Sequence, residues 1–204
     1  MLVYIEYISR RPGVSLEVFH EVAGRGQLQW ESEYDDDQLL LTLGRTWRLG
    51  PEPEYLHIWY NKQAGLERID EWECIFTSGI VARFEEPFRL AARIDSAGCY
   101  EPLLEPQPGK GGPYYAEYFE ITPGATPDEV RTYFEERRTL HPSLILNLLI
   151  DRIGLLGPAP RGLAIWSVPT YGALSEIARD LDGVTHPIQP SHSGVYADFG
   201  REIL

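Results

Sequence analysis

A chain of 204 residues that is 43% hydrophobic and 12% aromatic can bury a sizeable core, which excludes intrinsic disorder. A net charge of −13 and a pI near 4.8 exclude the basic surface that nucleic-acid backbones and anionic lipid headgroups require, so neither nucleic acid nor membrane is an expected partner. Two cysteines, Cys74 and Cys99, are too few for a disulfide framework or a thiolate metal site, and they read as small buried side chains in a reducing compartment.

Leu2–Ser9 alternates and is rich in β-branched and aromatic residues, which predicts a strand. Pro12 and Gly13 turn the chain, and Ser15 is placed to cap a helix from Leu16 to the break at Gly24-Arg25-Gly26, resuming over Gln29–Tyr34. The acidic run Glu31, Glu33, Asp35, Asp36 and Asp37 lacks the spacing of a calcium loop and reads as a solvated loop before the next strand. That strand is expected over Leu39–Trp47, and after the turn at Gly50, Pro51 and Pro53 a third follows over Tyr55–Tyr60. Ala64–Phe76 has helical spacing, and Ser96–Leu103 is the fourth strand.

The second half repeats this order. A strand is expected over Tyr114–Ile121, and a helix runs from Thr126, with Pro127 and Asp128-Glu129 in its first turn, to Leu140. Strands over Leu144–Ile153 and Leu163–Pro169, a helix over Gly172–Leu181 and a last strand near Val195–Phe199 complete it. The repetition extends to single residues. Tyr4, Glu6, Tyr7 and Pro12-Gly13 return as Tyr115, Glu117, Tyr118 and Pro123-Gly124 at an offset of 111 (115 − 4). Arg45, Leu49-Gly50-Pro51, Leu56 and Ile58-Trp59 return as Arg152, Leu156-Gly157-Pro158, Leu163 and Ile165-Trp166 at an offset of 107 (152 − 45), and Gly98-Cys99-Tyr100 is echoed by Gly194-Val195-Tyr196. The chain therefore divides into a first copy, 1–104, a Pro- and Gly-rich linker, 105–113, and a second copy, 114–204.

Each copy reads βαββαβ, the ferredoxin-like unit, an α+β fold whose two helices cover one sheet face and leave the other apolar face bare. Two such units resolve this by packing sheet to sheet. On the opening strands with their Pro-Gly turns and the third-strand Ile-Trp pairs, the chain resembles the dimeric α/β-barrel superfamily, in tandem, and within it the NIPSNAP-type domains. That resemblance implies an intramolecular dimeric barrel with a pocket between sheet and helices suited to a small aromatic or polyketide-like ligand. It also implies a choice among cofactor-free isomerases, cyclases and monooxygenases, non-catalytic binding proteins, and haem enzymes.

A carboxylate in an apolar strand is costly unless partnered, which singles out Glu6 and Glu117, with Arg45 and Arg152 as the obvious partners. In a sheet of order 4-1-3-2 these would lie roughly 10 Å apart, with a third-strand residue between them. That residue is His57 in the first copy and Ala164 in the second. Glu6, His57 and Arg45 thus form a candidate polar row: His57 the general acid/base, Glu6 its orienter, Arg45 the electrostatic stabiliser. The competing structural account is an ordinary Glu6–Arg45 surface pair, and a one-residue slip would turn His57 to the opposite face. Tyr4, Trp47, Trp59, Tyr115, Glu117, Arg152 and Trp166 are the candidate ligand-binding residues. No metal site and no cofactor are expected; haem on one of the five histidines, His20, His57, His141, His186 or His192, is the alternative that the resemblance holds open. No segment has the character of a signal peptide or membrane span, so the expected setting is the cytoplasm, with the tandem unit free to form a homodimer.

Overall fold

The structure, a computed structural model, describes residues 1–23, 36–50, 53–78, 82–109 and 111–199. The elements are β1 (Leu2–Arg10), α1 (16–23), β2 (Asp37–Arg45), β3 (Tyr55–Asn61), α2 (Glu67–Thr77), α3 (Ala82–Ala91) and β4 (Ala92–Pro102) in the first half. The second half contains β5 (Pro113–Ile121), α4 (Pro127–Leu140), β6 (Ile145–Arg152), β7 (Gly162–Ser167), α5 (Leu174–Arg179) and β8 (Ile188–Asp198). The segment Gln29–Tyr34 and the acidic residues before Asp36 lie outside the described residues.

The helix starts are set by local chemistry. Thr126 Oγ1 accepts the Glu129 amide at 3.3 Å while the Glu129 carboxylate accepts the Thr126 amide at 2.7 Å, a complete capping box. Ser15 makes the matching half of it, accepting the Val18 amide at 3.2 Å.

The strands form antiparallel ladders in the orders 4-1-3-2 and 8-5-7-6, and the two sheets join at their edges into a closed eight-stranded barrel. β2 pairs β8 through Leu43↔Asp198, Gly44↔Ala197 and Arg45↔Tyr196; β4 pairs β6 through Tyr100↔Arg152, Glu101↔Asp151 and Pro102↔Ile150. Closure removes every free edge. The faces that the helices leave bare turn inward, where Ile5, Ile58, Ala116 and Ile165 pack with six tyrosines. Tyr7 and Tyr100 hydroxyls are 2.7 Å apart, and those of Tyr118 and Tyr196 are 3.4 Å apart.

The two seams explain the motifs that recur. The turn after β2 is held to β8 by Thr46 N donating to Val195 O at 2.8 Å and Val195 N donating to Leu49 O at 3.1 Å. The turn after β6 is held to β4 in the same way, Cys99 N donating to Leu156 O at 2.8 Å and Ile153 N to Cys99 O at 3.0 Å. Gly50 and Gly157 both have positive φ, and a Cβ there would lie 2.3 Å from Ser193 O and 2.9 Å from the Gly98 Cα. Gly98 and Gly194 in turn lie beneath the rings of Tyr100 and Tyr196, so each Gly-x-Tyr echo is one ring packed on its own strand.

Several sequence expectations are corrected. Asp37 opens β2 instead of ending a solvated loop: it is buried and accepts from Asn61 Nδ2 at 2.9 Å, Arg68 Nη2 at 3.0 Å and Trp72 Nε1 at 2.9 Å. Cys74 is exposed and Cys99 half-buried. β4 and β8 begin several residues before their expected starts, so His192 lies within β8. The linker is strapped down, with Gln107 N donating to Asn147 O at 2.8 Å and Gly109 packed against the Leu41 and Tyr114 side chains at one end of the barrel.

Candidate functional site

The helix-facing side of the first sheet carries two rows of side chains. Ladder register places Cys99, Tyr4, Trp59 and Leu39 side by side, and next to them Ala97, Glu6, His57 and Thr42. Three helices cover this face. Phe19 of α1 packs with Ile8 and Tyr55, the Trp72 ring of α2 lies 5.2 Å from that of Tyr4, and the Phe88 ring of α3 lies 5.8 Å from that of His57.

Glu6 and His57 are direct cross-strand neighbours, with His57 Nδ1 3.4 Å from Glu6 Oε2. That distance is an ion-pair contact, longer than a well-formed hydrogen bond. His57 is fully buried, while the Glu6 side chain retains 15% exposure. Glu6 Oε2 accepts no hydrogen bond among the described residues. The row continues across the seam, because Thr42 Oγ1 donates to Asp198 Oδ1 at 2.7 Å. Beside it, burial above all, and then the Glu6 charge, pushes the Tyr4 hydroxyl far up, so that it stays protonated and able to donate.

Arg45 does not join this row. Thr42, not Arg45, stands opposite His57 on β2, and Arg45 Nη1 donates to Gly50 O at 3.0 Å. Arg152 does the same in the second copy, donating from Nη1 to Gly157 O at 3.1 Å. Both arginines therefore brace seam turns, which is why both copies keep one. Trp47 lies beyond β2 with φ of 54° and is 83% exposed, away from this row.

The second copy's equivalent face is sealed. Arg137 of α4 donates from Nη1 and Nη2 to Glu117 at 2.7 and 2.9 Å, and Trp166 Nε1 donates to Glu117 Oε2 at 3.2 Å. The guanidinium lies 5.4 to 5.6 Å from the ring centres of Trp166, Phe134 and Tyr133. Burial opposes charge on both partners, but the Glu117 carboxylate outweighs it for Arg137 and holds the guanidinium's pKa above its ordinary value. Glu117 is 2% exposed at its side chain, and Tyr115 and Trp166 belong to the core around Phe134. Of the candidate ligand-binding residues of this copy, Tyr115, Glu117 and Trp166 thus lie in the core beneath α4, and Arg152 lies at the seam.

The contrast between copies locates the polar site. Ala164 and Leu149 flank Glu117's row where His57 and Thr42 flank Glu6's. Sequence reasoning did not single out Thr42, Asp198 or Trp72. A threonine at the position of Leu149 was a legible signal for the first; nothing in the sequence announced that β8 would bring Asp198 across the seam.

Among the described residues, no group of three or more His, Cys, Asp or Glu could hold a metal ion, and no helix is long and apolar enough to cross a membrane.

No protein-family model matches the chain, and no curated protein sequence does. Solved structures do resemble it in fold. A chlorite dismutase variant from Candidatus Nitrospira defluvii, in complex with cyanide, aligns at TM-score 0.57 and 8% identity over 98% of this chain and 91% of its own. A haem-binding protein from Thermus thermophilus aligns at TM-score 0.58 and 12% identity over 97% and 90%. A putative monooxygenase from Lactobacillus acidophilus aligns at TM-score 0.56 and 11% identity over 98% and 96%. The chain has the dimeric α/β-barrel fold, and at these identities the likeness establishes the fold alone.

The description of the Thermus neighbour as a haem-binding protein poses haem as a question for this chain's histidines. An axial imidazole must turn one nitrogen to a slot as wide as the macrocycle. His57 is fully buried, with the Phe88 and Phe199 rings 5.8 and 5.9 Å away. His20 stacks on Phe199 at 4.7 Å, His192 on Tyr118 at 4.4 Å, His141 Nε2 meets Asp180 at 2.5 Å, and His186 lies 3.7 Å from Glu129. Of these histidines, His57 is the one enclosed on all sides among the described residues, at 0% exposure.

Proposed function

We propose that the chain is a small-molecule enzyme whose reaction runs on the helix-facing side of the first copy, with His57 as the proton acceptor and donor. The observation that carries this is the Glu6–His57 pair, buried, 3.4 Å apart, and present only in the copy whose carboxylate is not sealed by an arginine of the described residues. Glu6 favours the imidazole with its Nδ1 proton directed at the carboxylate and stabilises the imidazolium formed when Nε2 takes a proton. Tyr4, Trp59 and Trp72 supply an aromatic wall for a planar substrate, and the Tyr4 hydroxyl is a donor for developing negative charge. The chemistry that fits is proton transfer next to a carbonyl, as in isomerisation, cyclisation or cofactor-free oxygenation, on an aromatic or polyketide-like compound.

The fold neighbours favour a haem enzyme over a cofactor-free one. An absorbance spectrum and native mass of the protein purified from cells separate them. A Soret band with a haem mass increment moves the function to haem chemistry. For the cofactor-free enzyme, enolisable aryl ketones incubated in D2O are expected to gain deuterium, and His57→Gln to slow this by about 10²–10⁴-fold. Unchanged exchange in His57→Gln would remove the proposed role. The finer NIPSNAP-type alternative, a non-catalytic interaction module, predicts no exchange and no saturable small ligand.

A further inference from the structure

The second copy shows what its own version of this site is built to hold. The 111 offset persists into the first helix of each copy: Ser15 and Thr126 cap at the same point, and the pairs Phe19/Val130 and Ala23/Phe134 are fully buried in both. Along that register two of the three α4 residues gathered over Glu117, Tyr133 and Phe134 beside Arg137, correspond to Val22 and Ala23. Two aromatic rings are replaced by two small apolar side chains. The carboxylate remains as Glu6, and the position of the Trp166 indole is kept as Trp59, beside Tyr4.

Among the described contacts Glu6 has only His57, 3.4 Å away, as a potential cation, and five arginines of the first half are engaged elsewhere. Arg11 donates to Ala92 O, Arg45 to Gly50 O and Arg68 to Asp37, while Arg10 and Arg93 are held by Val14 O and Asp95. His57 and Asp198 are the other titratable groups of the row. Planar forked cations match a carboxylate with two parallel hydrogen bonds and lie well on aromatic faces, as Arg137 does.

We infer that the first-copy site takes a ligand bearing a planar cation, a guanidinium or amidinium on an apolar or aromatic body, which pairs with Glu6 as Arg137 pairs with Glu117. This rests on the first copy being the functional one and goes beyond the proton-transfer role by naming the charge of the ligand.

Benzamidine is the probe, with benzamide as its neutral isostere and benzoate as its anionic counterpart, read by tryptophan fluorescence titration and thermal shift. Saturable binding of benzamidine alone is expected, weakened about 30-fold or more by Glu6→Gln. Binding retained in His57→Gln keeps the cation site separate from proton transfer: it supports the inference even where no exchange activity is found. Equal binding of benzamide or benzoate, binding unchanged in Glu6→Gln, or no benzamidine binding overturns the inference and leaves the proton-transfer proposal standing on its own test. Binding that appears only after Arg25→Ala would assign Glu6 to that arginine, and would overturn it too.

Discussion

Glu6 and Glu117 occupy one position in two copies and should respond unequally to the same change. Glu117→Gln leaves the Arg137 guanidinium buried without its bidentate partner and should cost about 3–5 kcal/mol in urea unfolding. Glu6→Gln removes a partly exposed carboxylate with no hydrogen bond to Oε2 among the described residues, and should change stability by no more than about 1 kcal/mol. Equal losses would mean that the copies are not the sealed and unsealed versions of one site. Histidine burial adds a pH dependence. Burial, helped by Arg10 for His20, lowers the pKa of His20 and His192 below the ordinary 6.5. The unfolded chain then binds more protons than the native one between that value and the depressed ones, so stability is present above pH 6.5 and falls as pH drops through the window. His20→Gln and His192→Gln should each flatten the decline seen in unfolding midpoints between about pH 7 and 5; a decline unchanged in both would assign it to other groups.

Seam turns and ladders are where the elements explain what the residues alone left ambiguous. Gly50→Ala and Gly157→Ala combine positive φ with contacts of 2.3 and 2.9 Å to the opposite copy's backbone, so each should cost about 2–4 kcal/mol. Gly13→Ala and Gly124→Ala have positive φ but open space around them and should cost only about 1–2 kcal/mol. Similar losses at all four would show that strain, not the seam, sets the cost. Much of this level was legible in the sequence: alternation and turn chemistry fixed β1, β3, β5 and α4 within a residue or two, and Thr126-Pro127 is a complete start signal. What was not legible depends on long-range pairing. Glu6 next to His57 follows from a register that the sequence only suggested, whereas Arg45 was misplaced because the bulge between Leu39 and Leu41 shifts the facing of β2 and the turn at Gly50 claims its guanidinium. Arg137, the true partner of Glu117, sits 20 residues away on a helix, a separation that no strand-based spacing reveals.

At the scale of the molecule, the two copies share one interior. Neither ferredoxin-like unit buries its own inner face; Tyr7 and Tyr100 from one copy and Tyr118 and Tyr196 from the other enter the same cluster, and each sheet's edge is satisfied only by the other's. The strapped linker adds to this coupling, since Gly109 packs on Leu41 of the first copy and Tyr114 of the second. Loss of one half would expose an apolar sheet face and two open edges at once, a cost no isolated half could offset. The chain should therefore unfold as a single unit, with one calorimetric transition whose van't Hoff and calorimetric enthalpies agree. Two transitions, or a Glu117→Gln variant that melts its own half while the first remains folded, would show two domains joined by a tether. If the single transition holds, a ligand bound at Glu6 and His57 must raise the melting temperature of the whole chain, because the seam through Thr42 and Asp198 leaves no part of the second copy free to unfold without the first.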